Sequence, residues 1–217
     1  MTESDIFMHE IKNSLGNIYA LAEIIENDPT ELSECLPLMK TAINQIKNVE
    51  RDYNEFRKSG QSTIRLGPVN LATLLSSIAE EYRLQADEKK ITINISCKNI
   101  KIQTDVSKLR QVLINLIINA IKYNQIGGQI LLECKAVAAK NVIIISDSGI
   151  GMSPDELKMI GTVFYRTKKI DVPGTGLGWA LIKSISNLMK WEITIKSKSK
   201  SANPFEYTTV VSIFLNP

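Results

Sequence analysis

Apolar residues near the start of the chain recur at alternating spacings of three and four: Met8, Ile11, Leu15, Ile18, Ala22 and Ile25. This is a heptad seam, the pattern of a helix that buries one stripe. The segment NDPTE, Asn27 to Glu31, interrupts it. Asp28 suits an N-cap, Pro29 the first helical position and Glu31 a capping box. The seam then resumes as Leu32, Leu36, Met39, Ile43, Ile46, Tyr53 and Phe56, interrupted at Glu50. The pattern predicts a helical hairpin, kinked at Pro37, whose ring removes the hydrogen bond to the Ser33 carbonyl. One hairpin covers only part of its stripe, so pairing with a second copy into a dimeric four-helix bundle is expected.

The polar, glycine-containing stretch RKSGQSTIRLGP, Arg57 to Pro68, reads as a connector. Beyond it the periods mix. A helix is predicted from about Leu71 to Asp87, then strands at ITINISC and KIQTD, and a long apolar helix from Val106 to Tyr123. QILLECK and NVIIISD read as a strand pair, and Pro154 to Ile160 as a short helix. A helix from Leu177 to Met189 leads into the strands WEITIKS and TTVVSIFL. The fold class is therefore α+β. A helical hairpin is expected at 1–58, a linker at 59–67, and an α/β sandwich with a mostly antiparallel sheet at 68–217.

Composition changes this picture little. The chain has 217 residues, 44% of them hydrophobic and 23% charged, enough to bury a core and unlike a disordered or fibrous chain. A net charge of +3 argues against a nucleic-acid partner, and the KSKSKS run from Lys196 reads as an exposed strand end and loop. Cys35, Cys97 and Cys134 show neither metal-ligand spacing nor a disulfide framework, so a reducing, cytoplasmic setting is expected. The longest apolar run, VLINLIINAI, is too short to span a bilayer, and no leader pattern opens the chain.

Four features carry candidate chemistry. His9, the only histidine, lies off the hairpin seam, with Asn13 one turn on along the same face and Glu10 beside it. On the helix alone, a surface histidine and a nucleophilic imidazole are both open readings. In the long apolar helix, Gln111, Asn115, Asn119, Lys122 and Tyr123 form one polar stripe. Buried carboxamides require a ligand or a network. Amide oxygens suit a hard cation such as Mg2+, and a lysine suits phosphate. In IIISDSGIGM a strand ends at Asp147, followed by Gly149 and Gly151; the carboxylate can accept from an exocyclic amine while the glycines admit a flat ring. In PGTGLGWA, Gly174, Thr175, Gly176, Leu177 and Gly178 open a helix whose amides could cradle phosphates. Neither a Walker loop nor a dinucleotide fingerprint fits that spacing. Between the last two features lie Phe164, Tyr165, Arg166, Lys168 and Lys169, which read as a basic lid.

In this order and spacing, the features resemble the two-component sensor histidine kinases over essentially the whole chain. HEIKNSL is similar to the H box, NLIINAIKYN to the N box, DSGIGM to G1, FYR to the F box and GTGLG to G2. The resemblance implies a dimerisation and phosphotransfer hairpin followed by an ATP-binding domain of the GHKL type. It implies that His9 takes the γ-phosphate of ATP, Glu10 acts as general base and Asn13 positions water for phosphatase activity. It further implies that Asn119, supported by Asn115, ligates Mg2+, that Lys122, Tyr123 and Arg166 contact the nucleotide, and that Asp147 binds the adenine amino group. The phosphoryl group would pass to an aspartate of a response-regulator receiver domain. Ser14 stands where many H boxes have proline, and Trp179 where G2 boxes carry a smaller aliphatic residue. Only eight residues precede His9, so an excised catalytic core, or a kinase regulated through a separate sensor protein, is expected.

Other functions fit less of the chain. An ATPase clamp of the gyrase kind would use a glutamate at Asn115 to activate water, which a carboxamide cannot do. A serine kinase would leave His9 idle. A degenerate dimeric scaffold or phosphotransfer hub would not need such complete boxes.

Overall fold

The computed structural model describes residues 3–59, 63–137, 140–166, 174–199 and 206–215. Helix α1 spans Glu3–Asn27, and α2 spans Leu32–Ser59. The turn between them is a 3-10 helix at Pro29–Glu31. Asp28 caps it, its Oδ1 accepting from the Thr30 amide at 3.0 Å and the Thr30 hydroxyl at 2.6 Å. These two bonds hold the Asp28 carboxyl below its ordinary pKa. Helix α2 runs unbroken through Pro37, where the Thr41 hydroxyl donates to the Pro37 carbonyl at 2.9 Å.

Strand β1, Gly67–Asn70, pairs antiparallel with β3, Lys101–Thr104, as a separate ribbon. No strand signal marks β1 in the chain; Pro68 lacks a donor, but a two-stranded ribbon leaves it an open edge. The helix expected over Leu71–Asp87 is two helices, α3 at Leu71–Glu81 and α4 at Arg83–Glu88, divided at Tyr82 (φ −100°, ψ 7°). The main sheet has the order β2-β4-β5-β7-β6. Its strands are β2 (Thr92–Cys97), β4 (Gln129–Val137), β5 (Lys140–Asp147), β6 (Glu192–Ser197) and β7 (Thr209–Leu215). Among the described residues only the β2–β4 pair is parallel. Helices α5 (Val106–Lys122) and α7 (Gly178–Met189) pack together, and α6 (Pro154–Met159) lies between β5 and α7 in the chain.

Alternation decides which residues fill the core. On β7, Thr209, Val211, Ile213 and Leu215 are buried in strict period two. On α5, Leu109, Val112, Leu113, Leu116, Ile117, Ala120 and Ile121 are buried at helical spacings. Asp105 caps that helix by accepting from the Ser107 and Lys108 amides, while its other oxygen accepts from the Arg65 amide at 2.8 Å. One buried carboxylate thus anchors both α5 and the end of the connector.

One sequence expectation is corrected. Cys97 and Cys134 are register partners on β2 and β4, with Cα atoms 4.5 Å apart, joined as a disulfide. The cysteines therefore no longer argue for a reducing compartment. Cys35 is buried and free. Among the described residues, no helix is long and apolar enough to cross a membrane.

Candidate functional site

A cleft of about 470 Å³ opens between α5, the end of β5 and the loop preceding α7. Three sequence-distant segments meet there, each aimed by a rigid element. From α5, Asn115, Asn119, Lys122 and Tyr123 line the cleft; from the β5 end come Asp147 and Gly151; from the glycine loop come Gly174, Thr175, Gly176 and Gly178. Arg166 completes the expected set. Gly149 and Leu177 support the walls from behind. Leu177 is buried, and a side chain at Gly149 would meet the Tyr123 carbonyl at 2.5 Å. Gln111 does not reach the cleft; its Nε2 donates to Glu55 on α2 at 3.2 Å.

The two ends of the cleft differ in chemistry. At one end Asp147 sits among Ile145, Ile150, Met152 and Val211. Burial raises its carboxyl to about 7, and its one opposing influence is the Gly149 amide, which donates to Oδ1 at 3.0 Å. An apolar slot with one carboxylate acceptor at its base suits a flat ring bearing an amino group. The other end is cationic. Burial first, then the neighbouring Arg166, lower the Lys122 ammonium to about 8. A side chain at Gly174 would collide with that ammonium, which fixes Lys122 beside the glycine loop. Gly176 takes φ +72° and passes so close to the Phe164 backbone that a Cβ would lie 2.5 Å away. The Phe164 amide donates to the Gly176 carbonyl at 3.1 Å, tying the segment before Arg166 to the loop.

Between these ends stand the two carboxamides. Asn115 Nδ2 donates to the Gln111 carbonyl at 2.9 Å, and its oxygen faces Gly178. Asn119 Nδ2 is buried with no hydrogen-bond partner among the described residues. An orphaned carboxamide on a cleft wall, at such a cost, is what a ligand-binding group looks like before its ligand arrives. Trp179 lines the cleft and also packs against the core.

His9, Glu10 and Asn13 are elsewhere, on α1, and none of them lines the cleft. His9 is exposed, and Asn13 Nδ2 lies 3.1 Å from its Nδ1. Glu10 makes no described hydrogen bond to the ring. Lys168 and Lys169 of the expected lid lie outside the described residues. The sequence reading missed Arg51, Asp52 and Glu55 of α2, which also line the cleft. They sit off the hairpin seam, and a solvated helix face is the ordinary fate of such charges.

Residues 104–216 match the family model described as histidine kinase-, DNA gyrase B-, and HSP90-like ATPase. The sensor histidine kinase ZraS of Salmonella typhi is 32% identical over 195 residues, which cover 87% of this chain and 41% of that protein. The chain thus spans less than half the length of this relative. Among solved structures, the histidine kinase AdeS of Acinetobacter baumannii superposes with a TM-score of 0.75 at 17% identity, covering 96% of this chain and 97% of that one. The histidine kinase ThkA, solved in complex with the response regulator TrrA, gives 0.77 at 18% identity, covering 98% of this chain and 60% of that one. At such identities these likenesses are of fold.

Proposed function

Because the chain belongs to the family of histidine kinase-, DNA gyrase B-, and HSP90-like ATPases, we propose that it is the phosphoacceptor and catalytic part of a sensor histidine kinase. The hairpin, about residues 1–58, carries the acceptor, and residues 68–217 carry the nucleotide. The observation that carries the reading is the convergence in one cleft of Asp147, Asn119, Lys122 and the Gly174–Gly178 loop, with the chain's single histidine exposed on a separate helix.

In this reading Asp147 accepts a hydrogen bond from the adenine amino group, and Lys122, Tyr123, Arg166 and the loop amides bind the triphosphate. The Asn119 carboxamide oxygen on the cleft wall is the hard-oxygen donor that fits Mg2+, and its unpaired Nδ2 is left to donate to a phosphate oxygen. Asn119 would hold the ion and Asn115 would brace the loop behind it; the ion would neutralise phosphate charge. His9 Nε2 attacks the γ-phosphorus, the bond to the ADP oxygen breaks, and the ring proton leaves to Glu10. Nε2 needs its lone pair for this. Turning the Asn13 carboxamide so that its oxygen accepts from Nδ1–H supplies the required tautomer without moving the side chain.

The phosphoryl group then passes to an aspartate of a response-regulator receiver domain, and Asn13 aligns water for the reverse, dephosphorylating activity. Met8, Leu15, Tyr19, Leu36 and Leu38 are exposed on the hairpin, which supports its pairing with a second copy. ATP as substrate fits a reaction in the cytoplasm, with a separate sensor protein as the source of input.

Incubation with γ-labelled ATP and Mg2+ tests the reading. Label that is acid-labile, base-stable and lost in His9→Gln is the expected result. Label that persists in His9→Gln would overturn the role given to His9.

A further inference from the structure

The phosphate end of the cleft already contains an anion, and it comes from the other part of the molecule. Asp52 of α2 accepts from the Thr175 hydroxyl at 2.8 Å, across 123 positions of sequence. Its other oxygen accepts from the neighbouring Arg51 at 3.1 Å. The carboxylate lines the same cleft as Lys122 and Arg166, and it acts on the Lys122 ammonium against the effects of burial and Arg166. The Thr175 oxygen also accepts from the Leu177 amide at 3.3 Å, so its one proton is committed to Asp52.

We propose that Asp52 is an internal competitor for the phosphate-binding end of the cleft: its carboxylate stands in for phosphate there, and a bound triphosphate must expel it. The proposal rests on the nucleotide reading of the cleft given above. A carboxylate and a triphosphate cannot share Lys122, Arg166 and Thr175 without like charges meeting in a partly desolvated space, where repulsion is strong. Whichever anion wins also decides where the catalytic unit sits. Asp52, Glu55 and Ser59 follow one another at spacings of three and four, so they occupy one face of α2. From that face Glu55 accepts from Gln111 at 3.2 Å and Ser59 bonds Ser184 of α7 at 2.7 Å. Tyr53 lies between Phe164, with centroids 6.4 Å apart, and Phe7, at 4.2 Å, two residues before His9.

Among the described residues these contacts are mainly polar and partly exposed, the type of interface that parts readily. Asp52 is the member that bonds the glycine loop, through Thr175. Its displacement converts nucleotide binding into release of the catalytic unit from α2, a movement that must occur before the γ-phosphate can meet His9. By linkage, docking weakens triphosphate binding by the same factor as triphosphate weakens docking.

The test is calorimetric titration of the full chain and of Asp52→Asn and Asp52→Ala with ATP and, separately, with adenosine. Asn keeps the shape and removes the charge. ATP is expected to bind both variants at least about fivefold more tightly than the unsubstituted chain, the lower end of typical coupling. Adenosine, which carries no phosphate, should bind all three alike. Unchanged or weakened ATP binding would overturn the proposal, and so would equal shifts for ATP and adenosine, which indicate a general change in the cleft. If neither the unsubstituted chain nor either variant bound ATP, the nucleotide reading itself would fall, and the proposal with it.

Discussion

The hairpin and the catalytic unit bury their apolar residues to very different degrees. In the catalytic unit, Leu75, Ile78, Leu113, Ile117, Ile130, Leu132 and Ile182 are wholly inaccessible. In the hairpin no described side chain of α1 is buried, and α2 buries only Cys35, Ala42, Val49 and Ser59. Tyr19 is 72% exposed and Leu38 56%. The cleft is therefore finished by the folding of one chain, whereas α1 presents exposed apolar surface. In the proposed reading, binding ATP is a property of one copy, and presenting His9 in a stable frame is a property of two.

Substitution gives the sharpest contrast. Leu113→Ala should lower the unfolding free energy by about 2–5 kcal/mol, because it removes transfer energy and leaves a cavity in a core with no slack. Chemical denaturation should show this loss at every protein concentration. Leu15→Ala on the hairpin should lower stability through dimerisation, so its effect should shrink as the chain is diluted and leave the isolated copy within about 0.5 kcal/mol of the original. A Leu15→Ala loss that does not vary with concentration would break the comparison.

Reduction of Cys97–Cys134 should act on the catalytic unit alone. The bond closes a loop of 37 residues, and the chain-entropy argument gives about 4 kcal/mol for that length. Denaturation of the catalytic unit should therefore move with reductant in the native chain and not in Cys97→Ser. Unchanged stability in reductant would show that the staple contributes nothing.

That staple also marks what the sequence could not convey. Periodicity made most helices and strands legible, from the long helix starting at Val106 to the final strand at TTVVSIFL, whereas β1 carried no such signal. The polar stripe on α5, Asp147 and the glycine loop were legible too, because a buried carboxamide or a strand-end carboxylate needs a reason to exist. The Cys97–Cys134 pair was not, because its partners meet only through the parallel β2–β4 register, which no local pattern encodes. Asp52 was hidden for a related reason. Its neighbours Thr175 and Lys122 come from segments far along the chain, and on α2 alone it looks like any solvated acid. Division at Tyr82 escaped as well, since the turn between α3 and α4 carries neither glycine nor proline.

The smallest predicted effect separates the two ends of the cleft by pH. Asp147, raised to about 7 by burial, accepts from an amino group far more strongly as the carboxylate than as the acid. Adenosine affinity should thus rise about tenfold between pH 6 and 8, as the ionised fraction rises, and then level off. Lys122, lowered to about 8 chiefly by burial, must keep its proton to attract phosphate. ATP affinity should therefore pass through a maximum between about 7 and 8 and decline above it, while adenosine affinity does not. The sign for folding runs the other way. Asp147 binds its proton more tightly folded than unfolded, so between its ordinary value of 3.8 and about 7 rising pH removes stability from the empty protein. Asp147→Asn should abolish the pH dependence of adenosine binding and flatten that slope, leaving the decline of ATP binding above 8 in place. If the decline vanished along with the rise, the two ends of the cleft would be titrating as one group, and the assignment of ring and phosphate to separate ends would fall.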